Sequence, residues 1–177
     1  MSLILYRFRW VVCQLDTLRT CLKRPALLKA LNQLPKTLDE TYNQILLRIP
    51  EDYHHDARVV FNLLAFSSRP VSLGEAAEAV AIDLELKSFD SRNQLPDLAV
   101  SSKSVQASSH CRLCNLKARH LREKPTNDES RELRFAHYSI KEYLLSQRIS
   151  LPAFQIHGDN AHGMNAKLCL IYLLSFR

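Results

Sequence analysis

The sequence predicts a mainly α fold with a small β element. Only three glycines, Gly74, Gly158 and Gly163, occur in 177 residues, too few for the turns of an all-β or doubly wound domain. Apolar residues recur at three- and four-residue spacing through most of the first 82 positions, the period of amphipathic helices. Three times a Ser or Thr is followed three residues later by Glu at the head of an apolar run, in Thr37–Glu40, Ser72–Glu75 and Ser139–Glu142. That pattern satisfies two orphan N–H groups reciprocally at a helix start. With 46% apolar and 24% charged residues, the composition is that of an ordinary globular chain.

Each element follows in order. From Tyr6 to Leu22, the residues Phe8, Val11, Val12, Leu15, Leu18 and Leu22 keep helical spacing. Pro25 opens a second helix, Ala26 to Leu34, and Pro35 ends it. The Thr37 box starts a third, carrying Leu38, Tyr42, Ile45, Leu46 and Ile49 and stopping at Pro50. A fourth runs from Asp52 to Phe66 with Val59, Val60, Leu63 and Leu64 inward, and His54-His55 at its start face solvent. The Ser72 box begins a fifth through Ala76, Val80 and Ile82. Residues 84–97 are polar and 100–131 lack a sustained period, which reads as loop. Glu132–Ala136 is short enough for a strand. The Ser139 box starts a helix with Ile140, Tyr143, Leu144 and Ile149, and a strongly apolar last helix spans Asn160 to Ser175. A helix–turn–helix followed by a strand-bearing hairpin is the layout of a winged helix, with its wing at 100–136.

The searches for enzyme chemistry return little. Gly158 to Gly163 has the gap of a phosphate-binding loop, but Met164-Asn165 follow where Lys and Ser or Thr hold phosphate and magnesium. No Gly-x-Ser-x-Gly elbow exists. Cys111-x-x-Cys114 with His110 and His120 supplies one cysteine pair without the second pair that a structural zinc site takes, so no metal is expected. The five cysteines are odd in number and scattered, and Arg7 and Arg9 interrupt the first apolar run, which together point to a reducing cytosol. Of the net charge of +6, five units lie between residues 103 and 124, where six Lys and Arg face Glu123 alone. Such a run is a solvated loop, or a DNA-binding surface of a winged helix. His137 stands two residues before Ser139. A lone histidine there packs sideways, or hydrogen-bonds the chain and helps aim the helix; alternatively it adds a donor to an anion at the helix N-terminus.

Several stretches together carry a resemblance: Phe8-Arg9-Trp10-Val11-Val12-Cys13-Gln14-Leu15-Asp16-Thr17-Leu18-Arg19, Leu34-Pro35-Lys36-Thr37-Leu38-Asp39-Glu40-Thr41-Tyr42, Ser72 to Ile82, and Ala136-His137-Tyr138-Ser139-Ile140-Lys141-Glu142-Tyr143-Leu144. The succession resembles the region after the nucleotide-binding core of fungal NACHT-type, NLR-like signalling ATPases, which are often followed by ankyrin repeats. Their winged-helix part is labelled after GPI inositol-deacylase, a domain label and not an activity. The resemblance covers roughly residues 7–97 and 131–175. It implies that residues 7–50 close a NACHT-type ATPase module, that 52–150 form the winged helix, and that 158–176 begin a following helical region. It implies no enzyme activity and no cofactor of this chain's own. The implied role is regulatory and cytoplasmic, coupling nucleotide state to downstream repeats, with the ATPase core and the repeat region as partners. His137 matches a histidine that in related ATPases touches the phosphate of bound ADP, a contact that needs the ATPase core. Residues 98–125 depart from the family pattern, and no phosphate loop precedes residue 7.

Overall fold

The computed structural model describes residues 3–90, 114–117 and 132–176. Its elements run α1 (Leu3–Leu18), α2 (Arg24–Asn32), α3 (Leu38–Leu46), α4 (His54–Phe66), β1 (Val71–Ser72), α5 (Leu73–Val80), β2 (Ile82–Asp83), β3 (Ser88–Phe89), β4 (Cys114–Lys117), β5 (Glu132–Phe135), α6 (Tyr138–Leu145) and α7 (Gly158–Leu174). Single 3-10 turns sit at Glu51–Tyr53 and Pro152–Phe154. The fold is mainly α with a small β element, as its sequence predicts.

The three capping motifs have different fates. At Ser72 the box is complete: the Glu75 N–H donates to Ser72 Oγ at 3.1 Å and the Ser72 N–H donates to Glu75 Oε2 at 2.8 Å. Arg69 clamps the same carboxylate with both terminal nitrogens. At Thr37 only half forms. The Glu40 N–H donates to Thr37 Oγ1 at 3.1 Å, but Glu40 Oε2 accepts from Lys36 N–H, at 2.7 Å, one residue farther back. The third box does not form, and His137 caps α6 in place of Ser139.

α1 stops at Leu18, short of the expected Leu22, which is 96% exposed. Its face is also reversed. The apolar stripe Phe8, Val11, Val12 and Leu15 is exposed, while Tyr6, Trp10 and Cys13 pack inward and Gln14 is buried. Hydrogen bonding selects that face: Tyr6 Oη donates to Asp39 Oδ1 (2.6 Å), Trp10 Nε1 to the Pro35 carbonyl (2.9 Å) and Gln14 Nε2 to Thr41 Oγ1 (3.0 Å). Periodicity reveals that a stripe exists, not which way the tertiary contacts turn it.

The main core joins α3, α4, β1, α5, β5 and α6 with the 3-10 turn at Phe154. Phe61, wholly buried at the centre of α4, lies 6.2 Å ring to ring from both Phe135 and Phe154. Tyr42 of α3 meets Tyr143 of α6 at 5.5 Å. A second cluster places Val59 of α4 with Ala79, Ile82, Leu168 and Ile171, seating α7 on α4 and α5. Val59 and Val60 are buried as expected; Leu63 and Leu64 only partly. His54, expected in solvent, is structural: its Nε2 lies 3.0 Å from the Ile49 carbonyl and its ring packs edge-on to Phe154 at 4.6 Å.

A three-stranded antiparallel sheet has the order β1-β5-β4, with Val71 opposite Leu133 and Leu116 also opposite Leu133. β4 is therefore a correction to the loop expected there, since a four-residue strand shows no period when read alone. Ile82 does not end α5 but opens a second hairpin, pairing with Phe89. Asp83 Oδ1 accepts the N–H groups of Glu85 and Leu86 at 2.8 and 2.9 Å and so turns the chain just beyond the expected end of the helix.

Phe154→Ala should lower unfolding free energy by about 3–5 kcal/mol, whereas Leu22→Ala should stay within about 0.5 kcal/mol, both read by urea titration. The Arg69 guanidinium, helped by the Ser72 N–H, holds the Glu75 carboxyl down at about 2 from 4.5. A depressed carboxyl stabilises fully above its unfolded pKa, and that contribution disappears as pH falls through the folded value. Stability contributed by Glu75 should thus fade between pH 4.5 and about 2, and Glu75→Gln should flatten that part of the pH profile in acid titrations followed by circular dichroism.

Candidate functional site

β5 delivers the chain to His137, whose φ of −157° and ψ of 148° are those of an N-cap rather than of a helix. Its Nδ1 accepts the Ser139 N–H at 3.2 Å and lies 2.7 Å from Ser139 Oγ. Ser139 is buried, and its hydroxyl also lies 2.7 Å from Tyr42 Oη. The expected capping role fails because that hydroxyl is already engaged on both sides, inside the first turn of α6.

These contacts fix a direction. A nitrogen that accepts from a backbone N–H carries no proton, so the neutral ring holds its hydrogen on Nε2. Ser139 then donates to Nδ1, and Tyr42 donates to Ser139. The chain Tyr42–Ser139–His137 runs from α3 to the N-terminus of α6 and joins residues 97 apart in sequence. Burial, and then the nearby positive charge of Arg9, hold the imidazole below its ordinary pKa against the opposing pull of Glu142. Burial raises the Tyr42 phenol, with the Ser139 contact and then the nearby Arg9 pulling the other way. Both shifts favour the neutral forms that the chain of donors requires. Among the described residues nothing bonds His137 Nε2, the nitrogen left over by the cap.

A second bridge runs beside the first. Asp39, in the first turn of α3, accepts from Tyr6 on one oxygen and from Arg148 Nη1, at 2.9 Å, on the other. Burial and then the Asp39 bond push the Tyr6 phenol up to about 12. Beside Tyr42 a cleft of about 590 Å³ opens between α1, α2 and α3, lined by Arg9, Gln14, Gln33, Thr41, Tyr42 and Arg48. Its wall is mixed, with two guanidiniums and several amides set beside Cys13, Leu34, Pro35 and Ile45.

Of the residues singled out from sequence, His137 stands at the helix N-terminus where it was expected, although as the cap itself. Of the basic stretch 103–124, only the backbone of β4 belongs to the described residues, and His110, Cys111 and His120 lie outside them. Sequence reasoning missed the surroundings of His137. Arg9 and Tyr42 sit in segments read only as helix, and no local signal pairs Tyr42 with Ser139.

No family model matches the chain, and no solved structure does. It is similar to the azaphilone pigments biosynthesis cluster protein L of Monascus ruber, at 34% identity over 150 residues. That match covers 81% of this chain and 29% of the relative, so the chain spans under a third of the length of the curated relative it matches.

Tyr42→Phe should cost about 1 kcal/mol, the worth of a typical buried hydrogen bond, in thermal unfolding at neutral pH. Because the folded pKa of His137 is lowered, its contribution is complete above its unfolded value of 6.5 and is lost as pH falls through the folded value. The His137 ring signals in an NMR titration should accordingly move at lower pH than those of an unfolded-state histidine, and Arg9→Gln should shift that titration upward.

Proposed function

We propose that this chain is a non-catalytic regulatory module of an NLR-like NACHT signalling protein, in which a helical segment closing the ATPase module is latched to a winged-helix domain. The observation that carries the reading is the hydrogen-bond chain from Tyr42 through Ser139 to His137. It ties the segment 7–50 to the helix whose N-terminus would face a phosphate, and it leaves one ring N–H without a partner among the described residues.

The sheet order β1-β5-β4 supports the winged-helix part. Helix α4, strand β1 and helix α5 precede a hairpin whose second strand returns to lie beside the first strand of the domain. β4 and β5 are then the wing. His137 holds its cap through Nδ1 and presents Nε2–H to an anion. As a neutral donor it adds a hydrogen bond, and the positive end of α6 supplies the electrostatic attraction. A nucleotide phosphate held there favours the closed arrangement of the two segments, and its loss frees α3 from α6. The ATPase core, the downstream repeat region and a cytoplasmic setting belong to this proposal. Among the described residues no helix is long and apolar enough to cross a membrane.

The test is ADP retention in a receptor that carries the ATPase core ahead of residue 7. His137→Asn keeps a capping acceptor but withdraws the ring nitrogen. It should release ADP about tenfold faster or more, as expected for a lost hydrogen bond to a charged group. Retention unchanged from wild type, in a variant of matching thermal stability, removes the phosphate role from His137.

A further inference from the structure

The cleft between α1, α2 and α3 carries polar groups that the fold itself leaves unsatisfied. Gln14 lines it and is only 5% exposed. Its Nε2 is engaged by Thr41 Oγ1, while its amide oxygen accepts no hydrogen bond among the described residues. A buried acceptor without a donor bears the full cost of its lost hydration, so this oxygen marks a place for a donor from outside the chain. Arg9 lines the same cleft, and its Nε is buried without a partner among the described residues. Arg48, just beyond α3, adds a second guanidinium. The one carboxylate among the described lining residues is Asp16, which lies 3.9 Å from Arg19. Leu34, Pro35 and Ile45 give the rest of the wall an apolar character. The volume of about 590 Å³ is that of a small-molecule site.

We propose that this cleft binds a small organic carboxylate that also carries a hydrogen-bond donor. Arg9 and Arg48 hold the carboxylate, the Gln14 amide oxygen accepts from the donor, and Leu34, Pro35 and Ile45 cover the apolar body. Guanidinium is the side chain whose planar donors match a carboxylate. A wholly apolar ligand would strand both guanidiniums, and a cation would meet them with like charge. Inorganic phosphate would satisfy the arginines but leave the apolar wall without an occupant. Arg9 also connects the cleft to the helix cap. Burial and then the charge of Arg9 hold the His137 imidazole below its ordinary pKa, against Glu142. A carboxylate seated on Arg9 offsets that charge, so an occupied cleft is felt at His137. The site is built from α1, α2 and α3 and stands whether or not His137 meets a phosphate.

The test is an NMR titration of the isotope-labelled 177-residue chain with para-hydroxyphenylacetate, which has a carboxylate, an aromatic body and a hydroxyl donor. The backbone amides of Cys13, Gln14, Tyr42 and Ile45 should shift and saturate, with half-saturation at about 10 mM or below, as ligand efficiency allows for so small a molecule. In the saturated protein the His137 ring should titrate at higher pH than in the free one. The neutral para-hydroxyphenylacetamide should bind about tenfold more weakly, as should the acid to Arg48→Gln, the loss expected for a hydrogen bond to a charged group. Arg48 is exposed, so this variant should melt like wild type. Phenylacetate, which lacks the hydroxyl, should bind about fivefold more weakly than the hydroxylated acid. Absence of a saturable shift at these residues overturns the proposal. So does an amide that binds like the acid, or an Arg48→Gln variant of wild-type affinity. Inorganic phosphate binding as tightly as the acid reduces the cleft to a general anion site and overturns the assigned class, and phenylacetate matching the hydroxylated acid overturns the role of Gln14. A His137 titration that ligand does not move overturns the seat on Arg9.

Discussion

A phenol buried to 1% exposure loses several kcal/mol of solvation unless its hydroxyl finds a partner, and Tyr42 finds Ser139, 97 residues away. Much of the architecture is arranged around that contact. It sets α3 against α6 through the Tyr42–Tyr143 ring pair and withdraws Ser139 from the capping role that its sequence context advertises. It also leaves the cap to His137. Because Nδ1 accepts the Ser139 N–H, the neutral ring carries its proton on Nε2, and that this nitrogen has no partner among the described residues is a consequence of packing as much as of local sequence.

The same region explains the reversed first helix. α1 turns toward α3 the face that can hydrogen-bond, with Tyr6 to Asp39, Trp10 to the Pro35 carbonyl and Gln14 to Thr41. The aliphatic stripe is left outward with its cations. Directional bonds between partly buried groups are lost outright when misaligned, whereas a stripe of aliphatic residues tolerates exposure at a cost proportional to area. Asp39 links the two arrangements, since Tyr6 and Arg148 share its carboxylate.

Local punctuation made a large part of the fold legible. The helices at Leu38, His54, Leu73 and Gly158 begin within two residues of the expected positions, because Pro, Ser, Thr and Glu act on backbone groups within one turn of themselves. The complete box at Ser72 needed nothing beyond residues 69–75. Where a boundary depended on a distant partner, reading by pattern failed. Ile82 leaves α5 to pair with Phe89, β4 exists because β5 borders it, and His54 turns inward to meet Phe154 and the Ile49 carbonyl.

For this protein the amino-acid order by itself determined the mainly α class, most helix starts and the position of His137 ahead of a helix, all properties of interactions three or four residues long. Which face of α1 is buried, which residue caps α6, and which nitrogen of His137 remains available were decided only in the tertiary structure. The first two turn on hydrogen bonds between groups at least 25 positions apart, and the third follows from the cap that they leave to His137. Such a bond is selected by what the folded chain brings within 3 Å, and a one-dimensional pattern carries no record of that distance.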